Sequence, residues 1–146
     1  MAKKIQPNVA AQPKGGQPIK TYFVEAAELD IPGAPCAGVV LDMGTRLVVA
    51  SAIETSHGPA IAAALARAID KGAKPDRVVV DFYTPAGELR SLCQRHGIGI
   101  DYVAPSHCPV VAHGAIERTF RDLERLFDGL PAAFGIPDII DTGATR

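Results

Sequence analysis

The sequence has no tryptophan, two methionines and only three cysteines. Cys36, Cys93 and Cys108 are odd in number and far apart, with no CxxC pair among them. That spacing excludes a disulfide framework and a zinc knuckle, and leaves reduced, mostly buried thiols as the expectation. Also missing is any run near the roughly 18 apolar residues that a membrane helix requires, so no membrane partner is expected. At the N-terminus Lys3 and Lys4 are soon followed by Gln6, Pro7 and Asn8, without the apolar core of a secretory signal. The chain therefore reads as cytoplasmic. Nor is there an excess of positive charge. The net charge is −1, and because the first twenty residues hold Lys3, Lys4, Lys14 and Lys20 and no acid, the remainder is acidic, with 11 basic and 16 acidic residues. A protein that grips nucleic acid by phosphate contact alone is basic. Here such a grip has to come from a local patch or from further domains.

What is present is the composition of a globular domain, 47% hydrophobic and 21% charged over 146 residues, enough for one sheet with helices packed on it. Residues 1–20, rich in Pro, Gly, Gln and Lys, read as a flexible leader or linker. From Thr21 a period of two sets in. Phe23, Glu25, Ala27, Leu29 and Ile31 share one face of a strand that Pro32, Gly33 and Pro35 end. Residues 37–41 and 47–53, joined by the turn Asp42-Met43-Gly44-Thr45, complete a three-stranded antiparallel meander. Asp42 is read as a structural turn residue rather than a ligand.

The period then changes to 3.6. Pro59 suits a helix start, Ile61, Leu65, Ala68 and Ile69 share a face, Gly72 closes the helix, and His57 falls in the loop before it. Val78, Val79 and Val80 form a short buried strand that ends in the carboxylate of Asp81. A second helix covers residues 85–96, with Leu89, Leu92 and Cys93 on one side, and Ile98, Ile100 and Tyr102 alternate as a fifth strand. After a loop holding Pro105 and Pro109, a last helix over residues 114–128 buries Ile116, Phe120, Leu123 and Phe127. The expected order is β-β-β-α-β-α-β-α. It describes an α/β domain over residues 21–128, a mixed five-stranded sheet with helices on both faces, and residues 129–146 read as an irregular tail.

Three carboxylates stand out by position. Glu25 is the lone charge on the apolar face of its strand, Asp81 ends a buried strand where open α/β sheets place functional groups, and Glu117 opens the last helix beside Ile116. A buried acid is costly unless paired, hydrogen-bonded or on a metal. Three acids meeting at one sheet end suit two divalent ions about 4 Å apart, the arrangement that activates water or a hydroxyl for phosphoryl transfer. The structural alternatives are a salt-bridged acid at Glu25, a strand-end cap at Asp81, and a helical ion pair of Glu117 with Arg121. His107, Cys108 and His113 lack a fourth ligand for zinc.

Asp81 and Glu117 are separated by 35 residues, and the text between them carries further blocks. Cys93 is followed by Gly97-Ile98, Pro105 and Pro109 punctuate a loop, and Gly114-Ala115-Ile116-Glu117-Arg118-Thr119-Phe120-Arg121 closes the stretch. Upstream lies Asp42-Met43-Gly44-Thr45-Arg46 with an apolar run after it. Together these resemble the catalytic core of DDE transposases and retroviral-type integrases, nearest the phage Mu transposase-like branch, over residues 22–127. The resemblance implies a ribonuclease-H-like fold and metal-dependent DNA transposition or integration. It also implies two Mg²⁺ or Mn²⁺ ions on Glu25, Asp81 and Glu117, DNA as partner, and a homo-oligomer. On the last helix Arg118, Arg121 and Arg125 form a basic strip, read either as solvated charge or as a contact to DNA phosphates.

The first strand, with Ala27 on the motif's threonine, and the residues after Asp81 depart from the resembled pattern. In Val24-Glu25-Ala26-Ala27-Glu28-Leu29-Asp30-Ile31 the catalytic aspartate position holds Glu25, and Asp30 falls on the outer aspartate of the motif. After Asp81, Phe82-Tyr83 stands where the family has Asn-Gly. The alternative function is therefore a catalytically decayed integrase-like domain that acts as a DNA-binding or oligomerisation module. A ribonuclease acting on RNA–DNA hybrids is a third reading, disfavoured by the integrase-like blocks.

Overall fold

The computed structural model describes residues 18–108 and 110–128. Most of the leader over residues 1–20, Pro109 and the tail over residues 129–146 lie outside the described residues. The elements are β1 (Thr21–Glu28), β2 (Cys36–Asp42), β3 (Val48–Glu54), α1 (His57–Asp70), β4 (Arg77–Asp81), α2 (Gly87–His96), β5 (Gly99–Val103) and α3 (Val110–Asp128), with a 3-10 turn at Pro105–His107 before α3. The order is the one the sequence periods imply.

The five strands form one sheet in the order β3-β2-β1-β4-β5. β1 pairs antiparallel with β2, and β2 with β3, as short turns permit; β1–β4 and β4–β5 are parallel, with α1 leading from β3 into β4 and α2 joining β4 to β5. Alternation along the strands feeds two cores. On one face Tyr22, Val24, Val40, Val78 and Val80 pack under Ile61, Leu65, Leu89 and Leu92 of α1 and α2. On the other, Phe23, Val39 and Leu41 pack under Ala112, Ile116, Phe120 and Phe127 of α3. No helix among the described residues is long and apolar enough to cross a membrane.

Helix α1 approaches the sheet closely because small residues face it. Gly38 of β2, paired with Ala26 and Ala52 on its neighbours, lies so near α1 that a Cβ at this position would collide with the backbone carbonyl of Ala60. The α2 helix ends at Gly97, whose φ of 65° is the left-handed conformation that glycine adopts without a steric penalty.

Most boundaries differ from the sequence reading by a residue or two, and three differences bear on the core and the site. β1 stops at Glu28 rather than Ile31, because the chain turns there: the Leu29 N–H donates to the Pro35 carbonyl and the Ile31 N–H to that of Leu29. Leu29 and Ile31 still reach the α3-side core. His57, expected in a loop, is the first residue of α1, after Ser56 at the N-cap position. Helix α3 begins at Val110, not Gly114, so Glu117 sits two turns inside it rather than at its opening. Ala112, 1% exposed and four residues before Ile116, continues the apolar stripe, while Gly114 lies on the exposed side, where it interrupts nothing.

Candidate functional site

The parallel pairing of β1 and β4 matches Tyr22 with Val78 and Phe23 with Val79. Glu25 and Asp81 each lie two residues further along, hence on the same face as Phe23 and Val79, the face that α3 covers. From α3, Ile116 is fully buried in that core, and Glu117 follows it at the exposed margin. The electrostatics join the three. Burial pushes the Glu25 carboxyl above its ordinary range; His113 opposes this, and the negative charges of Asp81 and Glu117 both add to it. Three acids from three elements therefore share one neighbourhood.

Each is held differently. The Glu25 side chain is 24% exposed, and its buried Oε2 has no hydrogen-bond partner. Against it, 3.6 Å away, stands Nδ1 of His113, beyond ordinary hydrogen-bond length and an ion pair only while the imidazole is protonated. The His113 ring is set edge-to-face against Phe23, with centroids 5.8 Å apart. Asp81 is folded into its own turn. Its Oδ1 accepts from the N–H groups of Tyr83 (2.8 Å) and Thr84 (3.0 Å), and its Oδ2 from the Thr84 hydroxyl (2.7 Å). Cys108 belongs to the same corner. Burial raises its thiol pKa, and the charges of Asp81 and Glu25 push it in the same direction.

The sequence singled out Glu25, Asp81 and Glu117, and Asp81 and Glu117 both come within electrostatic reach of Glu25. It passed over His113 and Thr84 as partners. His113 would have been legible as a face-mate of Glu117, four residues on, had the helix been started at Ala112. The ion pair of Glu117 with Arg121 that a purely structural role suggests is not made; the ion pair on this helix joins Arg125 to Asp122 at 4.0 Å, both exposed. Arg118 and Arg121 are exposed as well, so the basic strip faces solvent.

In donor type the corner suits a hard divalent cation: carboxylate oxygens, one of them buried and unpartnered, crowded by like charge. The side chains as they stand do not converge on a single point. Among the described residues no three His, Cys, Asp or Glu side chains are placed to hold an ion together, and Asp81 in particular is committed to Thr84. An open groove of about 560 Å³ between α1 and α2 is lined by Glu54, Pro59, Ala63, Glu88 and Arg95 among others, and none of the three carboxylates lines it. It lies on the other helical layer, away from the carboxylate corner.

No protein-family model and no curated protein matches the sequence. Solved structures do. The HTLV-2 integrase catalytic core domain in complex with magnesium, in its trimeric form, superposes with a TM-score of 0.57 at 20% identity, over 88% of this chain and 87% of that one. The fold is that of an integrase catalytic core. The catalytic core domain of BIV integrase gives a TM-score of 0.53 at 17% identity, over 86% of this chain and 84% of that one. A chain of the simian T-cell lymphotropic virus intasome, in complex with PP2A regulatory subunit B56 gamma, gives 0.57 at 17% identity. The match takes in 88% of this chain and only 50% of the intasome chain. The shared architecture is the ribonuclease-H-like mixed sheet.

Proposed function

We propose that this chain is a DDE-type core that carries out metal-dependent phosphodiester cleavage and strand transfer on DNA, nearest by its sequence blocks to the phage Mu transposase-like branch. The observation that supports this most is the crowding of Asp81 and Glu117 against the half-buried carboxyl of Glu25. Gathering like charges at a partly desolvated point costs stability unless a cation shares it. Glu25, Asp81 and Glu117 would hold Mg²⁺ or Mn²⁺. When bound, a pair of such ions lowers the pKa of an attacking water or 3′-hydroxyl and stabilises charge on the phosphate. The chain's own contribution would be to bring two carboxylates from the paired strands β1 and β4 and a third from α3, with Arg118, Arg121 and Arg125 as an exposed strip for phosphates. The HTLV-2 core domain is described in dimeric and trimeric forms, and a homo-oligomer is proposed for this chain too.

A second reading has its own observation. Both Asp81 oxygens are engaged within the turn over residues 81–84, and His113 already stands against Glu25, so two of the three acids have internal neighbours without a metal. A domain that has lost its chemistry and serves DNA binding or assembly would look so. Calorimetric titration with Mn²⁺ and a nicking assay on end-labelled DNA separate the two. Catalysis requires ion binding and cleavage that both Asp81→Asn and Glu117→Gln abolish. Absence of binding at millimolar Mn²⁺, with no nicking, leaves the decayed module.

A further inference from the structure

Phe82 and Tyr83 follow Asp81 directly and are 55% and 84% exposed; no other Phe or Tyr among the described residues is exposed. Their backbone is nevertheless hydrogen-bonded at both residues. The Phe82 N–H donates to the Val103 carbonyl at 2.9 Å, extending the β4–β5 ladder by one residue, and the Tyr83 N–H is bonded to the Asp81 carboxylate. Thr84 adds two further bonds to the same carboxylate. Two flat apolar side chains are thus presented to solvent on a braced turn beside the candidate catalytic acid.

We infer that Phe82 and Tyr83 form a stacking platform for unpaired nucleobases next to the phosphodiester that the carboxylates address. This rests on the DNA-processing reading above and adds a substrate feature to it. Between Arg77, paired with Asp101, and Arg90, bonded to Tyr102, the chain holds Asp81 and Glu88 and no Lys or Arg, so this segment brings no cation of its own to a phosphate backbone. What it offers is uncharged ring face, which every nucleobase can use irrespective of sequence. A strand whose phosphate reaches Asp81 brings its neighbouring bases to the residues next along the chain. In an intact duplex those base faces are covered by the stack. The platform therefore takes a frayed end or an extruded base.

The test uses the full chain and two DNA probes of one sequence, a blunt duplex and one with unpaired terminal bases carrying 2-aminopurine. The native chain is expected to bind the frayed probe more tightly and to quench its fluorescence. Phe82→Ala/Tyr83→Ala is expected to weaken frayed-end binding by roughly tenfold or more, the scale of one or two lost stacking contacts, while blunt-duplex affinity and the thermal midpoint stay as they were. Tyr83→Trp keeps the preference, and Phe82→Leu/Tyr83→Leu, which keeps apolar area without a ring, loses it. Equal binding of both probes by the native chain, or undiminished frayed-end binding by the alanine or leucine pair, overturns the platform. So does sedimentation showing that the pair instead holds copies of the chain together. A frayed-end preference without metal-dependent cleavage defeats only the catalytic reading; cleavage with an indifferent alanine pair defeats only the platform.

Discussion

Nδ1 of His113 lies 3.6 Å from Oε2 of Glu25, tying helix α3 to the central strand β1. His113 and Glu117 are four residues apart and so share a face of α3, one presenting a cation when protonated and the other an anion to the same carboxyl group. Whether Glu25 is better off charged or neutral is decided between them, Asp81 and burial.

Burial is the largest influence, and it favours the neutral form, as do Asp81 and Glu117; the folded pKa is raised. A folded chain that binds this proton more tightly than the unfolded chain has a stabilisation that is complete below the unfolded pKa. That stabilisation is lost as pH rises through the folded one. Glu25→Gln, neutral and of the same shape, is therefore expected to raise the thermal midpoint at neutral pH in the presence of a chelator. The gain should shrink as pH falls below the ordinary glutamate range. A variant less stable than the native chain at neutral pH would show that the His113 pair outweighs burial and the two like charges.

Thr84 restrains Asp81 through a 2.7 Å bond from its hydroxyl. Thr84→Val keeps the shape and removes the donor. A hydrogen bond to a charged group contributes about 1.5–3 kcal/mol, and part of that is recovered here because Asp81 keeps two backbone donors. Chemical denaturation is expected to show a loss of about 1 kcal/mol. Calorimetry is expected to show tighter Mn²⁺ binding, since one carboxylate oxygen has been freed. Unchanged affinity would mean that the turn does not compete with an ion.

Much of this arrangement is legible from local pattern. The period-two run through Phe23, Glu25 and Ala27 places Glu25 on the α3 side, and the valine triplet before Asp81 marks a buried parallel strand. The Asp42 turn reads correctly because its bonds to the Gly44 and Thr45 N–H groups are local, at 2.8 and 3.3 Å. The start of α3 does not, because Gly114 looks like punctuation and the burial of Ala112 that overrides it depends on a strand some seventy residues earlier. His113 was hidden for the same reason. Its partner is set by tertiary packing, not by its neighbours in the chain.

Gly38 shows how a residue without a side chain can be indispensable to the layer geometry. Its partner is the backbone of α1 at Ala60, which cannot swing aside as the tip of a long side chain would. Gly38→Ala is expected to force α1 off the sheet and cost about 1–3 kcal/mol or more, read as a lower denaturation midpoint with the slope retained. A midpoint equal to that of the native chain would show that α1 is free to shift.

The exchange Glu25→Asp bears most directly on chemistry. The extra methylene of Glu25 carries its oxygens roughly 1–1.5 Å further than aspartate would, and misplacement by about 1 Å can cost on the order of 100-fold in rate. Aspartate withdraws the carboxylate from the imidazole of His113 and leaves it nearer the backbone of β1. Nicking in Mn²⁺ is therefore expected to rise by up to about 100-fold in Glu25→Asp. Equal rates would show that glutamate is a competent ligand here and that the strand has adapted to it. If neither chain nicks DNA, and Asp81→Asn leaves Mn²⁺ affinity untouched, the acids of this corner are held by His113 and Thr84 for the sake of the fold alone.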